Sequence, residues 1–332
     1  MLKVTISDVA RLAGVSTATV SHTINSTRYV SAETKEKVYQ AIAELGYTPD
    51  ASARSFRTGK KKTVGFIVPD ISNKFFATMI ESVERTLAAH GYHLIIANTK
   101  EDREREETNI RLLSAGLVDG LLIASTMDSF ADLEGVVPAL FPTVLVDRTF
   151  ENGRFPSVCV SNFQPIYRSV CRLAAKGDRR IGIIAGLPHL SSTKERVAAY
   201  REAVADCAIA QDETLIQYGN SLENGAQACL DRLLAQKCDA IIAAQGLMAS
   251  ETIIYLHEKK LRIGEDIDLV SFVDYDSDIN HLYGSRMDCI IQPVEKLGEA
   301  ASEQILKRIE QPDAPIFEQV LTSSYRSCAA AK

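Results

Sequence analysis

The 332-residue sequence has no apolar run approaching the roughly 18 residues that a membrane-spanning helix needs. A membrane partner is therefore not expected. It has no C-x-x-C pair. Its seven cysteines fall at 159, 171, 207, 229, 238, 289 and 328. Such an odd, dispersed set reads as reduced, buried thiols in a cytosolic protein, not as a disulfide framework or a metal site. G-x-G-x-x-G, G-x-x-x-x-G-K-[ST] and G-x-S-x-G are all absent, and His90, His93 and His189 follow no catalytic spacing. Enzymatic activity, cofactors and metals are accordingly not expected. The opening "MLKVTISDVARLAG" carries Asp8 and Arg11 and no cleavage-like segment, so it reads as part of a cytoplasmic protein and not as a signal peptide. The closing "SYRSCAAAK" has no heptad pattern, which favours a dimer over a tetramer.

What is present is a charge asymmetry. Residues 1–62 hold ten Lys/Arg against five Asp/Glu, a net of +5, which leaves −11 on the rest of a chain whose total is −6. A basic head on an acidic body suggests a polyanion for the head alone; a merely solvated basic face is the alternative. The head reads as short helices. "SDVARLAG" has Ser7 as a candidate N-cap and ends at Gly14. "STATVSHTIN" restarts at Ser16 with Val20 and Ile24 on one face. "SAETKEKVYQAIAELGY" has Ser31 or Thr34 as its cap, a Val38–Ile42–Leu45 stripe and a stop at Gly46. Two helices about a turn, closed by a third, form the helix-turn-helix pattern. Its second helix enters the DNA major groove and needs short, hydrogen-bonding side chains on its outer face. Thr17, Ala18, Ser21 and His22 suit that face. The polar segment 50–57 reads as a short helix too weak to stand alone.

From Thr63 the pattern becomes α/β. Runs such as "TVGFIVPD", "YHLIIANT", "DGLLIAST" and "PTVLVDR" alternate with amphipathic stretches, and a second series runs from "SVCVSN" to "DIDLVSFV". This order predicts parallel sheets with helices on both faces, doubly wound in two lobes with a cleft at the strand ends. The expected divisions are 1–49 for the head, 50–62 for a hinge, and 63–332 for the body. The N-lobe is expected at 63–161 plus 292–315, and the C-lobe at 162–291 plus 316–330.

"ISDVARLAGVSTATVSHTIN", "RYVSAETKEKVYQAIAELGYTPDASARSFR" and "VGFIVPDISNKFF" together resemble the LacI/GalR family of bacterial transcription factors, and the reading helix is close to that of its purine and ribose repressors. The resemblance spans the chain and is densest over residues 4–75. It implies base reading by Thr17, Ala18 and His22 and a further DNA contact at Arg28. It also implies a hinge helix that orders on the operator and wedges a side chain into the central minor groove. The family has leucine at that position and this chain has Phe56, which is also a known type of wedge but a bulkier one. Ala53 suits close approach in the groove and Arg57 suits a phosphate or groove contact.

For the body, the resemblance implies a periplasmic-binding-protein-like fold that binds a small-molecule effector, a sugar or sugar phosphate. Phe75 and Phe76 stand where the family packs an aromatic on the ligand. Asp147 stands at the cleft edge, with Arg148 beside it. Arg196 matches the arginine that forks onto ligand oxygens. Asp274 matches the cleft aspartate, with Asp276 as the alternative. Three positions depart from the family: Ser161 precedes Asn162 in place of an acid, Gln245-Gly246 stands for Asn-Asp, and Ala199 stands for a glycine. Two polar anchors are thereby expected to be lost, leaving room for a phosphorylated or acidic ligand. The implied function is a repressor that binds a palindromic operator as a homodimer under effector control. An enzyme on the doubly wound body, or an architectural DNA-binding protein, is the alternative.

Overall fold

The computed structural model describes residues 4–25, 28–47, 59–150, 153–220, 225–273 and 286–328. The chain divides into two compact units, Met1–Lys61 and Lys62–Lys332.

In the first unit, α1 (Ile6–Ala13), α2 (Thr17–Asn25) and α3 (Ala32–Leu45) pack around Val9, Val20 and Val38, all fully buried. Each such side chain contributes about 1.5–3 kcal/mol relative to leaving it in water. The cap of α1 lies two residues before the Ser7 expected from sequence. It is Thr5, whose N–H and hydroxyl both donate to Asp8 Oδ2, at 3.0 and 2.7 Å. The Asp8 carboxylate thereby takes up the N–H and the hydroxyl of the cap residue, which ties Thr5 to the first turn of the helix. Gly14 closes α1 at φ +66°, a left-handed conformation that costs glycine little. Ser16 Oγ accepts the Thr19 N–H at 3.1 Å and starts α2, and Ser31 Oγ accepts the Thr34 N–H to start α3.

The second unit holds two six-stranded sheets. The first is built from β1 (Thr63–Val68), β2 (His93–Asn98), β3 (Gly120–Ile123), β4 (Thr143–Val146), β5 (Ser157–Val160) and β11 (Glu318–Leu321), in the order β11-β5-β4-β3-β1-β2. Helices α4 (Lys74–Ala89), α5 (Arg103–Ser114), the short α6 (Phe130–Glu134) and α11 (Val294–Glu310) belong with it. The second sheet runs β12-β10-β9-β8-β6-β7. Its strands are β6 (Ile181–Ala185), β7 (Ile216–Tyr218), β8 (Ala240–Ala243), β9 (Asp268–Val273), β10 (Asp288–Ile291) and β12 (Ser324–Arg326), with helices α7 (Phe163–Lys176), α8 (Ser191–Asp206), α9 (Gln227–Ala235) and α10 (Gly246–Glu258). The pairings are parallel except β10 with β12. β1, β3, β4, β6 and β8 are buried on both faces, which explains their continuous apolar runs, whereas β2 at the sheet end leaves Ile95 and Ile96 exposed.

The chain crosses between lobes three times, after β5, after β10 and after β11. The last crossing corrects the division expected at 316. Glu318–Leu321 pairs with Ser157–Val160 in the first sheet, so the N-lobe keeps that strand and the chain changes lobes only at 322–323. One helix contact needs a bare backbone. A Cβ on Gly298 of α11 would lie 2.9 Å from Met79 O of α4, next to the hydrogen bond from Ser82 Oγ to Glu295 O.

Candidate functional site

In the head, α2 turns Val20 and Thr23 inward; both are fully buried. Thr23 is buried without cost because its hydroxyl donates to Thr19 O at 2.9 Å. Sequence periodicity alone did not find it. Thr17 and Ala18 at the helix start are exposed, and Ser21 and His22 are half-buried one turn further on. Thus the outward face carries a hydroxyl and a methyl at its tip and an imidazole behind them. A helix start also presents amide N–H groups, which suit phosphate. Arg28 is exposed, and its neighbour Tyr29, which sequence reading passed over, is 95% exposed. Ala53, Phe56 and Arg57 lie outside the described residues.

In the body, a pocket with about 500 Å³ of empty space, its open mouth included, lies between the lobes. Asn73, Phe75, Phe76, Asp147 and Arg148 reach it from the first sheet's side, and Arg196, Gln245 and Phe272 from the second. Asn73 caps α4 by accepting the Phe75 N–H at 3.1 Å, which fixes the two phenylalanines at the helix start. Their rings meet edge to face at 5.2 Å. Phe76 is buried in the lobe core, while Phe75 is half-buried and is the more available ring.

Asp147 follows the end of β4 in a tight turn: its φ is +67°, and the Arg148 N–H donates to Val146 O at 2.7 Å. This three-residue turn is rare and strained for a residue with a side chain, and such strain concentrates at binding sites. No described residue donates a hydrogen bond to its carboxylate. Burial raises its pKa, an effect that Arg148 and Arg196 oppose and Glu101 reinforces.

Arg148, expected beside Asp147 at the cleft edge, is paired within its own lobe. Its guanidinium forks onto Glu101 at 2.8 and 3.4 Å and donates to Ser125 O at 3.2 Å, with both side chains almost fully buried. A buried cation needs such a partner, and here that partner removes most of its attraction for a ligand anion.

Arg196 is held differently. Its Nε donates to Asn162 Oδ1 at 2.8 Å, and its guanidinium lies 4.9 Å from the Phe272 ring centre. Burial pulls its pKa down to about 10, which leaves it charged at neutral pH. Asn162 is itself fixed, donating to Val160 O at 2.9 Å and to Glu195 Oε2 at 3.2 Å. Glu195 also accepts the Asn162 and Phe163 N–H groups at the start of α7. The terminal guanidinium nitrogens of Arg196 make no hydrogen bond to a described residue. Asn162 was read from sequence only as the neighbour of a lost acid. It is the residue that aims Arg196.

Gln245 amends another expectation. In place of a lost anchor, its amide lines the pocket, and its Oε1 is buried without a hydrogen-bond partner among the described residues. Ser192 and Gln292 complete a polar lining that sequence reading missed, because each sits in a segment with no motif of its own. Asp274 and Asp276 lie outside the described residues. A second, wider cavity of about 1130 Å³ adjoins Arg148; across it Asp128 Oδ1 and His189 Nδ1 stand 3.7 Å apart. Among the described residues no cluster of three or more His, Cys, Asp or Glu side chains could hold a metal ion, and no helix is long and apolar enough to cross a membrane.

A helix-turn-helix unit with an exposed polar reading helix, together with a two-lobed α/β body around a polar cleft, defines a class: a DNA-binding regulator with a small-molecule-binding body. Comparison with known proteins narrows that class. Residues 5–50 match the family described as bacterial regulatory proteins, lacI family, and residues 61–324 match the periplasmic binding proteins and sugar binding domain of LacI family. The chain is 33% identical over 314 residues to the HTH-type transcriptional repressor PurR of Vibrio atlanticus (strain LGP32), covering 93% of each. It is also 33% identical over 312 residues to the ribose operon repressor of Haemophilus influenzae, again covering 93% of each. Among solved structures, the transcriptional regulator CelR–cellobiose complex superposes with a TM-score of 0.69 at 28% identity, with 98% of each chain covered. The operator-bound lac repressor dimer has the same fold, with a TM-score of 0.84 at 23% identity over 97% of each chain. The chain belongs to the LacI family of bacterial regulatory proteins: it is a DNA-binding transcriptional repressor with a small-molecule effector domain, not an enzyme.

Proposed function

We propose that this repressor acts in the cytoplasm, reads a palindromic operator as a homodimer, and is controlled by an uncharged, polyhydroxylated effector of the sugar class. The observation that carries the effector class is the pairing of Asp147 and Arg196 across one pocket, each with hydrogen-bonding capacity left over. A carboxylate accepts from hydroxyls and a guanidinium donates to them, so one polyol chain or ring can bridge the two lobes. Phe75 supplies an apolar face, and Gln245 Oε1 supplies a further acceptor. The cellobiose bound by the CelR regulator fits the same chemistry.

A phosphorylated effector is the weaker reading, because Glu101 holds Arg148 and Asp147 would repel a second anion. Homodimerisation is supported by apolar side chains at a sheet edge. Ile95 and Ile96 of β2, the end strand of the first sheet, are 38% and 44% exposed. One reading helix covers a half-site, so two-fold pairing gives a palindrome. Thermal unfolding with neutral sugars and with their phosphates tests the effector class. Stabilisation by a neutral member is expected; stabilisation by phosphates alone would overturn it.

A further inference from the structure

All seven cysteines are free thiols, and the sequence scatters them without a motif. The fold nevertheless brings two of them together. Cys171 lies on α7 and Cys207 caps the end of α8, 36 residues apart in sequence, and their sulfurs are 3.2 Å apart. Both are only half-buried. The other five are placed differently: the Cys159 thiol donates to Glu318, Cys229, Cys238 and Cys289 are buried, and the half-buried Cys328 donates its backbone N–H to Asp288 Oδ1.

We propose that Cys171 and Cys207 form a redox modification site that closes to an intramolecular disulfide when the folded repressor meets a hydroperoxide. Sulfurs this near need only a short approach to reach bonding distance, about 2.05 Å. The hydrogen bond sets the order of events. Cys207 donates to Cys171, and burial together with that bond pushes the Cys207 thiol up to about 11, so it keeps its proton. Cys171 is then the attacking sulfur. Its thiolate attacks the terminal peroxide oxygen; the S–O bond forms, the O–O bond breaks, and the departing alkoxide or hydroxide takes up a proton. This leaves a sulfenic acid on Cys171. The Cys207 sulfur then attacks the Cys171 sulfur. The S–S bond forms, the S–O bond breaks, and hydroxide leaves with the Cys207 proton as water. In total, two thiols lose two electrons and two protons, and one hydroperoxide becomes water and an alcohol, or two waters from hydrogen peroxide.

The site lies between two helices that both carry the effector machinery. Asn162 stands at the N-terminus of α7, Arg196 on α8, and Tyr167 Oη of α7 already bonds Asp206 Oδ2 of α8 at 2.7 Å. A disulfide would add a covalent tie to this pair.

The test is to treat folded, full-length protein with limiting hydrogen peroxide, remove the peroxide, unfold the protein in denaturant with an alkylating reagent present to block every remaining thiol, and map the peptides without reduction. The expected result is a fall from seven alkylatable thiols to five, a Cys171–Cys207 linked peptide, and full recovery after dithiothreitol. Cys171→Ser is expected to abolish the link, and Cys207→Ser to leave a sulfenic acid on Cys171. Seven intact thiols, a disulfide between other cysteines, or a link only between two chains would overturn the proposal. The wild-type peptide map decides the question even if a variant does not fold.

Discussion

Asp147 and Arg196 face the same pocket from different lobes, near enough for each charge to stabilise the other but without an ion pair between them. Asp147 has only a 4.0 Å ion pair to Arg148 Nε, and Arg196 only its Nε hydrogen bond to Asn162, so each keeps hydrogen-bonding capacity for whatever fills the gap. A ligand that bridges them favours the lobe geometry in which both can reach it. That differential affinity is what a ligand needs to shift a conformational equilibrium and hence DNA binding.

Arg196→Ala is expected to weaken effector binding by about 1.5–3 kcal/mol, roughly 10- to 150-fold, because charge-assisted hydrogen bonds are lost. Arg196→Lys is expected to recover little of this, since an ammonium cannot fork onto two oxygens. Operator binding without effector is expected to persist in both. Calorimetric titration of the effector beside an operator-binding assay checks this.

Asp147→Asn separates stability from function. The native carboxylate has a raised pKa because burial disfavours its charged form. A carboxyl raised above its unfolded value makes the native state bind protons more readily, so the protein gains stability as pH falls through that raised pKa to the ordinary carboxylate range. The asparagine variant is expected to melt higher than wild type at neutral pH, to lose that part of the pH dependence, and to bind effector more weakly. Thermal melts from pH 7 downward, with and without effector, check all three.

His22→Ala is expected to cost about 1–3 kcal/mol per half-site at one base-pair position and to relax preference there. Arg28→Ala is expected to weaken all sequences alike and to flatten the salt dependence, the mark of a phosphate contact. Binding measured on a set of single-base operator variants at two salt concentrations separates the two behaviours.

Val38→Ala removes two methyl groups from the centre of the head and is expected to destabilise that unit by about 2 kcal/mol. DNA affinity is expected to fall while effector binding in the body stays unchanged, because the head is a separate compact unit. Parallel titrations of the variant with operator and effector check this.

Most of the architecture is legible in the sequence, because its signals are local. The 3.6-residue stripe through Val38, Ile42 and Leu45 and the stop at Gly46 mark α3, and continuous apolar runs mark the buried strands. What was not legible depends on partners distant in sequence. Glu101 reaches Arg148 across 47 residues and removes its charge from the pocket. Asn162 meets Arg196 across 34 residues. Glu318–Leu321 carries an alternation that fits an end strand of either sheet, so only pairing with β5 assigns its lobe. Thr5 was missed as the cap of α1 because Ser7 is equally suitable by residue type, and the two bonds that Thr5 donates to Asp8 decide between them.

Selection from random DNA with the full-length protein tests the central claim most directly, run once without ligand and once with a mixture of neutral sugars. In at least one arm the account predicts enrichment of a palindrome whose two half-sites are read by Thr17, Ala18 and His22, with affinity that differs between the arms. Enrichment of no palindrome in either arm, with only weak and steeply salt-dependent binding, would contradict it.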